Sequence, residues 1–138
     1  MAFHSYAAQY LAAARAAPPR EGFSPVPYYL YSLSLELALK AFLLAKGRTR
    51  KELKEKLGHN LAALLATAEQ ERLADHVPVS PDIRHQVALA NDYYQTRALE
   101  YFDLGKALRG FKGLPDVVSV DTFLSSLLTS THTLCYSA

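Results

Sequence analysis
A chain of 138 residues and 15.3 kDa fits one domain spanning 1–138, with a single core and no room for a second. Half of its residues are apolar and one-fifth charged (50% and 20%), a balance that excludes wholesale disorder. The formal charge of +2 and pI of about 8.7 neither demand nor exclude a nucleic-acid partner.

Cys135 is the only cysteine, so an internal disulfide and a cysteine-based zinc site are both ruled out, and a reducing cytoplasm is the default compartment. The N-terminal run MAFHSYAAQYLAAARAAPP lacks the basic start of a signal peptide, and Arg15 interrupts it. It reads as a structural helix. No stretch reaches the 18 or so uninterrupted apolar residues of a membrane span, so a soluble chain is expected.

The first helix is predicted from Ala2 to Ala17, with Phe3, Tyr6, Tyr10, Ala13 and Ala14 at helical spacing and Pro18 and Pro19 as its stop. Ser24 is placed as the N-cap of a second helix, with Pro25 and Pro27 in its first turn and Gly47 after its last residue, Lys46. Tyr31, Leu35, Ala38, Leu39 and Phe42 form one stripe of it, and Leu33, Leu37 and Leu44 lie opposite. Such a helix is wrapped by neighbours. Thr49 and Glu52 make a capping-box pattern that opens a short helix ending at Gly58. Asn60 caps a fourth helix, buried through Leu61, Leu64, Leu65 and Ala68 and expected to end near Asp75.

Ser80, Pro81 and Asp82 start a fifth helix, predicted to reach about Phe102, with Ile83, Val87, Ala90, Tyr94 and Tyr101 facing inward. Gly105, Gly110, Gly113 and Pro115 argue for a long loop over 103–118. Ser119 is expected to cap the last helix, whose apolar contacts are Val120, Phe123, Leu124, Leu127, Leu128 and Leu134. No segment alternates as a strand does. The expected class is all-α, a bundle of four to five main helices plus short ones.

With these elements placed, Glu36, Leu39 and Lys40 read as ExxLK, and Gly58, His59 and Leu61 as GHxL. Tyr28, Tyr29 and Leu30 precede them, NDYYQTRALEYF lies on the fifth helix, and Leu114, Pro115 and Asp116 follow a glycine-bearing loop. In this order and spacing the chain resembles the HEPN superfamily of helical bundles over about residues 24–128. The resemblance implies an up-and-down bundle that usually dimerises. It also implies a nucleotide-associated setting, beside a nucleotidyltransferase partner or in toxin–antitoxin and defence modules. Catalytic members carry an arginine, four to six residues, then a histidine. Here Arg72 and His76 have three residues between them and Arg50 and His59 have eight, while Arg97 is followed by Phe102 and Asp103 where a histidine would stand. The ribonuclease pair is absent, and a non-catalytic module binding a protein partner or a nucleotide- or RNA-type ligand is expected.

Glu36 sits mid-helix among leucines, and a buried carboxylate needs a partner. Lys40 lies one turn on, in the favourable order. His59, held at a turn by Gly58, is placed to reach Glu36 from a neighbouring helix. Two readings stand side by side. In the structural one Glu36, Lys40, Gly58 and His59 lock two helices together, and this is favoured because structural pairs perturb titration too. In the catalytic one Glu36 and His59 form an acid/base pair that with Arg97 makes a divergent, metal-independent ribonuclease.

Lys46, Arg48, Arg50, Lys51, Lys54 and Lys56 face only Glu52 and Glu55 in sequence, as a phosphate-binding face or the solvated side of a surface helix. Lys106, Arg109 and Lys112, with Arg97, are the best-placed cations for a nucleotide or RNA phosphate, the rival being a plain exposed loop. Tyr28, Tyr29, Tyr31, Tyr93, Tyr94 and Tyr101 suit base stacking, or core and dimer packing. His4, His76, His85 and His132 lack metal-ligand spacing, and no nucleophile motif is present; no metal and no cofactor are expected.

Overall fold
Glu36 and Lys40 apart, the middle of the second helix carries no charge, and the bundle is assembled around it. The structure, a computed structural model, describes residues 2–17, 25–95 and 115–136. Six helices and no strand are found among the described residues: α1 (Ala2–Ala16), α2 (Pro25–Ala45), α3 (Arg50–Glu52, continuing through Leu53–Leu57), α4 (Leu61–Gln70), α5 (Pro81–Gln95) and α6 (Val117–Tyr136). The fold is an all-α helical bundle.

Contacts fix the directions. Phe3 lies by Arg50, Ala7 by Ser34, and Arg15 meets Tyr31 across Asp121, so α1 is antiparallel to α2. His4 against Leu128 and Arg15 against Asp121 make it antiparallel to α6 as well. The short α3 turns the chain back, so that α4 runs in the sense of α2, with His59 beside Glu36 and Arg48 beside Glu71. Asn91 meets Leu61 and Arg84 meets Glu69, which sets α5 antiparallel to α4.

The core is continuous. Leu35, Leu39, Phe42 and Leu43 of α2 are fully buried against Leu61 and Leu64 of α4, Val87 of α5, and Leu124 and Leu127 of α6. The predicted stripe of α2 is buried throughout, and Leu33, Leu37 and Leu44 are half-buried against the same core. By length and composition Val26–Ala45 would also pass for a membrane span, but 56% of it is buried inside the bundle, as the central helix of a packed domain is.

Capping explains the boundaries. Thr49 accepts from the Glu52 N–H, Asn60 from Ala63, and Ser80 from Ile83, as their positions predict. Gly47 (φ +100°) ends α2 one residue sooner than expected, after Ala45.

Three expectations are corrected. The buried face of α1 is His4, Ala7, Leu11 and Ala14, whereas Tyr6 and Tyr10 are exposed. Small residues win that face because the helices approach closely: the Ser34 hydroxyl donates to the Ala7 carbonyl at 2.7 Å, which a tyrosine there would prevent. The α4 helix stops at Gln70 rather than near Asp75, since Arg72 takes a left-handed conformation (φ 66°) and a separate short turn, Leu73–Asp75, follows. The last helix starts at Val117, capped by Asp116 and not by Ser119. Asp116 accepts from the Val118 N–H and from the Ser119 hydroxyl, a carboxylate winning the positive helix end over a hydroxyl three residues in.

Candidate functional site
The ExxLK and GHxL residues converge on one carboxylate. Glu36 is 3% exposed on α2, and a charge taken that far from water survives only with hydrogen-bond donors around it. It has three. Lys40 Nζ donates to Oε2 at 3.0 Å from one turn along the same helix, and both His59 Nδ1 (2.7 Å) and the Tyr94 hydroxyl (2.8 Å) donate to Oε1. Glu36 and Lys40 cancel in charge, and no buried side-chain nitrogen or oxygen among the described residues lacks a partner.

The turn that presents His59 is itself specified by sequence. Gly58 takes φ +53°, a backbone conformation that side chains with a Cβ rarely adopt, and its N–H closes α3 on the Leu53 carbonyl at 2.7 Å. Asn60 then opens α4, and the Asn91 side chain on α5 accepts from the Leu61 N–H at 2.8 Å. Two of the otherwise orphaned donors of α4 are thereby satisfied, one by its own cap and one by a neighbouring helix. Asn91 and Tyr94 lie three residues apart on α5, so a single face of that helix holds both the start of α4 and the carboxylate. The rings of His59 and Tyr94 meet edge to face at 6.2 Å, and Tyr29 lies 5.9 Å from Tyr94.

A carboxylate oxygen accepts, so the 2.7 Å contact puts a proton on Nδ1, and in the neutral imidazole that leaves Nε2 as the acceptor nitrogen. The His59 side chain is 67% exposed while that of Glu36 is 4% exposed. The arrangement can therefore do two things. It ties α2, the α3–α4 turn and α5 together, and it holds one exposed imidazole in a fixed tautomer, as a general base requires.

The structure thus brings together Glu36, Lys40, Gly58 and His59. Arg97, Lys106, Arg109 and Lys112, and with them the proposed phosphate loop and Tyr101, lie outside the described residues. The sequence pattern places Tyr94 on the inward stripe of its helix but does not show it as a donor to Glu36, and it gives Asn91 no role. Their signal was a polar pair one turn apart on an otherwise inward face. Of the basic run, Arg48 is engaged by Glu71 (2.9 Å) and Glu52 (3.7 Å), whereas Lys46, Arg50, Lys51, Lys54 and Lys56 are exposed.

A second polar cluster had no sequence signature. Arg15 of α1 grips Asp121 of α6 with two hydrogen bonds, at 2.8 and 2.7 Å, and the Tyr31 hydroxyl of α2 donates to the same carboxylate at 2.8 Å. The Arg15 hydrogen bonds hold the Asp121 carboxyl below the usual carboxylate range. Burial, reinforced by the bond to Asp121, pushes the Tyr31 hydroxyl up to about 12. Burial also pushes the Cys135 thiol up, away from the thiolate that would make it reactive. Among the described residues no group of three or more His, Cys, Asp or Glu side chains is arranged to hold a metal ion. No protein-family model, curated protein or solved structure matches the chain.

Proposed function
We propose that the chain is a non-catalytic HEPN-like module, a homodimer that binds a protein partner or a nucleotide- or RNA-type ligand. Its setting would be a nucleotide-associated or toxin–antitoxin system in the cytoplasm, with a nucleotidyltransferase as the natural partner. The observation that carries this reading is the closure of Glu36, Lys40 and His59 with Tyr94 into one hydrogen-bonded cluster. The residues that bear the family resemblance are engaged in joining helices, which is the work of a latch. The absent arginine–histidine pair agrees with it. Two measurements test the reading. Light scattering at tens of micromolar is expected to give twice the chain mass, and a clean monomer removes the dimer. A thermal-shift screen with nucleotides and short RNAs is expected to find a stabilising ligand, by about 2.7 kcal/mol at a hundred times its Kd. No shift with any of them removes the ligand.

A second reading is favoured by the exposure of His59. A divergent, metal-independent ribonuclease would use the His59 imidazole as base, Glu36 to orient it and Arg97 to meet the phosphate. It requires RNA cleavage in the presence of EDTA that His59→Ala abolishes. Intact RNA after prolonged incubation with concentrated protein excludes it.

A further inference from the structure
One end of the bundle gathers the start of α1, the end of α2, the start of α3 and the end of α6, and two kinds of side chain meet there. The first kind is cationic. Arg50, Lys51 and Lys54 on α3 are exposed and, among the described residues, have no acidic group within ion-pair distance, whereas Glu52 is already engaged by Arg48 and Glu55 is the one further acid on that helix. Exposed Lys46 stands just before them, at the end of α2. The second kind is aromatic. The Arg50 guanidinium lies 5.4 Å from the centre of the Phe3 ring. One turn further on, Tyr6 is 52% exposed, and with Ala2, Ser5 and Tyr136 it lines an open cleft of about 430 Å³. The far wall is braced by ring contacts, Tyr136 stacking on His132 at 4.5 Å and both rings meeting His4 edge-on. His4 is itself pinned by donating to the Leu128 carbonyl.

From cations that lack acid partners, at the same end of the bundle as an open cleft lined by Tyr6 and Tyr136, we infer that this end of the bundle is a docking surface for single-stranded nucleic acid. Lys46, Arg50, Lys51 and Lys54 take the backbone phosphates, and the Tyr6–Tyr136 cleft takes a base. A strand supplies both chemistries together, charge beside a flat ring. An acidic peptide supplies the charge alone and leaves the exposed tyrosines without a function. Duplex nucleic acid keeps its bases stacked and out of the cleft. This inference rests on the proposed ligand class but places the site away from the loop of Lys106, Arg109 and Lys112.

The test is fluorescence anisotropy with labelled twelve-nucleotide oligo-U and oligo-dT, with a duplex of the same length and polyglutamate as competitors. The full chain is expected to bind both single strands. With three to four phosphates met, affinity should fall about 20- to 50-fold between 50 and 200 mM salt. Lys51→Glu with Lys54→Glu should weaken binding about tenfold or more, and Lys51→Arg with Lys54→Arg should preserve it. Tyr6→Ala should cost at least about fivefold, with circular dichroism unchanged because Tyr6 is at the surface. Competition by polyglutamate or duplex as strong as by the single strand would overturn the inference. So would binding that survives the α3 and Tyr6 substitutions but is lost on Lys106→Glu with Arg109→Glu; that result leaves the ligand class standing and moves its site. No binding to any oligonucleotide at 50 mM salt overturns both the surface and the RNA-type ligand.

Discussion

His59 donates its Nδ1 proton to Glu36 at 2.7 Å, although the two side chains differ greatly in exposure, 67% against 4%. One partner can leave for water and the other cannot. The consequences of removing each are therefore unequal.

Glu36→Ala leaves the Lys40 ammonium, 11% exposed, without its counter-charge, and leaves the Tyr94 hydroxyl without its acceptor. Breaking a buried pair in this way is expected to cost about 3 kcal/mol or more. His59→Ala removes a donor that water can replace from the exposed side, at about 1 kcal/mol. Urea denaturation of both variants checks the difference. Equal losses would mean that the exposed imidazole matters as much as the buried carboxylate.

Gly58→Ala is expected to destabilise by about 1–3 kcal/mol through backbone strain alone, the φ of +53° being paired with a ψ of −123°. A Cβ there meets open space, its nearest neighbour being the Lys54 carbonyl at 3.9 Å, so crowding is excluded as a cause. The φ of +53° is the cost. Gly58→Asn should recover little of the loss in the same denaturation experiment, because the ψ of −123° lies outside the left-handed helical region that asparagine tolerates.

The Arg15–Asp121–Tyr31 cluster predicts two limbs of pH dependence. Asp121 is held below its ordinary value, so its contribution is present above the unfolded value of about 4 and is lost as pH falls through the lower folded one. Tyr31 is raised to about 12, so its contribution is complete below the unfolded value of about 10 and fades between there and about 12. Arg15 is half exposed, and solvent screening keeps its pair with Asp121 to about 1 kcal/mol or less. Stability measured across pH should weaken its alkaline limb in Tyr31→Phe, leaving the parts due to the raised Tyr28 hydroxyl and Cys135 thiol, and weaken its acid limb in Asp121→Asn.

What the sequence makes legible follows the range of the interaction. The Thr49, Asn60 and Ser80 caps and the Gly58 stop are decided within a few residues, and they fall where local rules place them, whereas the end of α4 and the start of α6 do not. The convergence of Glu36, Lys40 and His59 was also readable, because a carboxylate among leucines demands a donor and few were in reach. Tyr94 donating to a residue 58 positions away, Asn91 capping a helix 30 positions away and Arg15 gripping Asp121 across 106 were not. Each depends on which helices are neighbours, information that no local pattern carries. The face of α1 failed for a related reason: alanine is the weaker hydrophobe but the better contact where two backbones approach to within reach of one hydroxyl.

His4 is 5% exposed, and its ring donates to the carbonyl of Leu128, 124 residues further along the chain. During synthesis that acceptor emerges only after the chain through α5 has been made. Until then α1 can rest on α2 through contacts a few tens of residues apart, but one of its buried polar groups waits for α6. α1 is thus made before the other described helices but finished after them, and its docking is a late, long-range closure that should slow folding relative to a bundle built from neighbours alone.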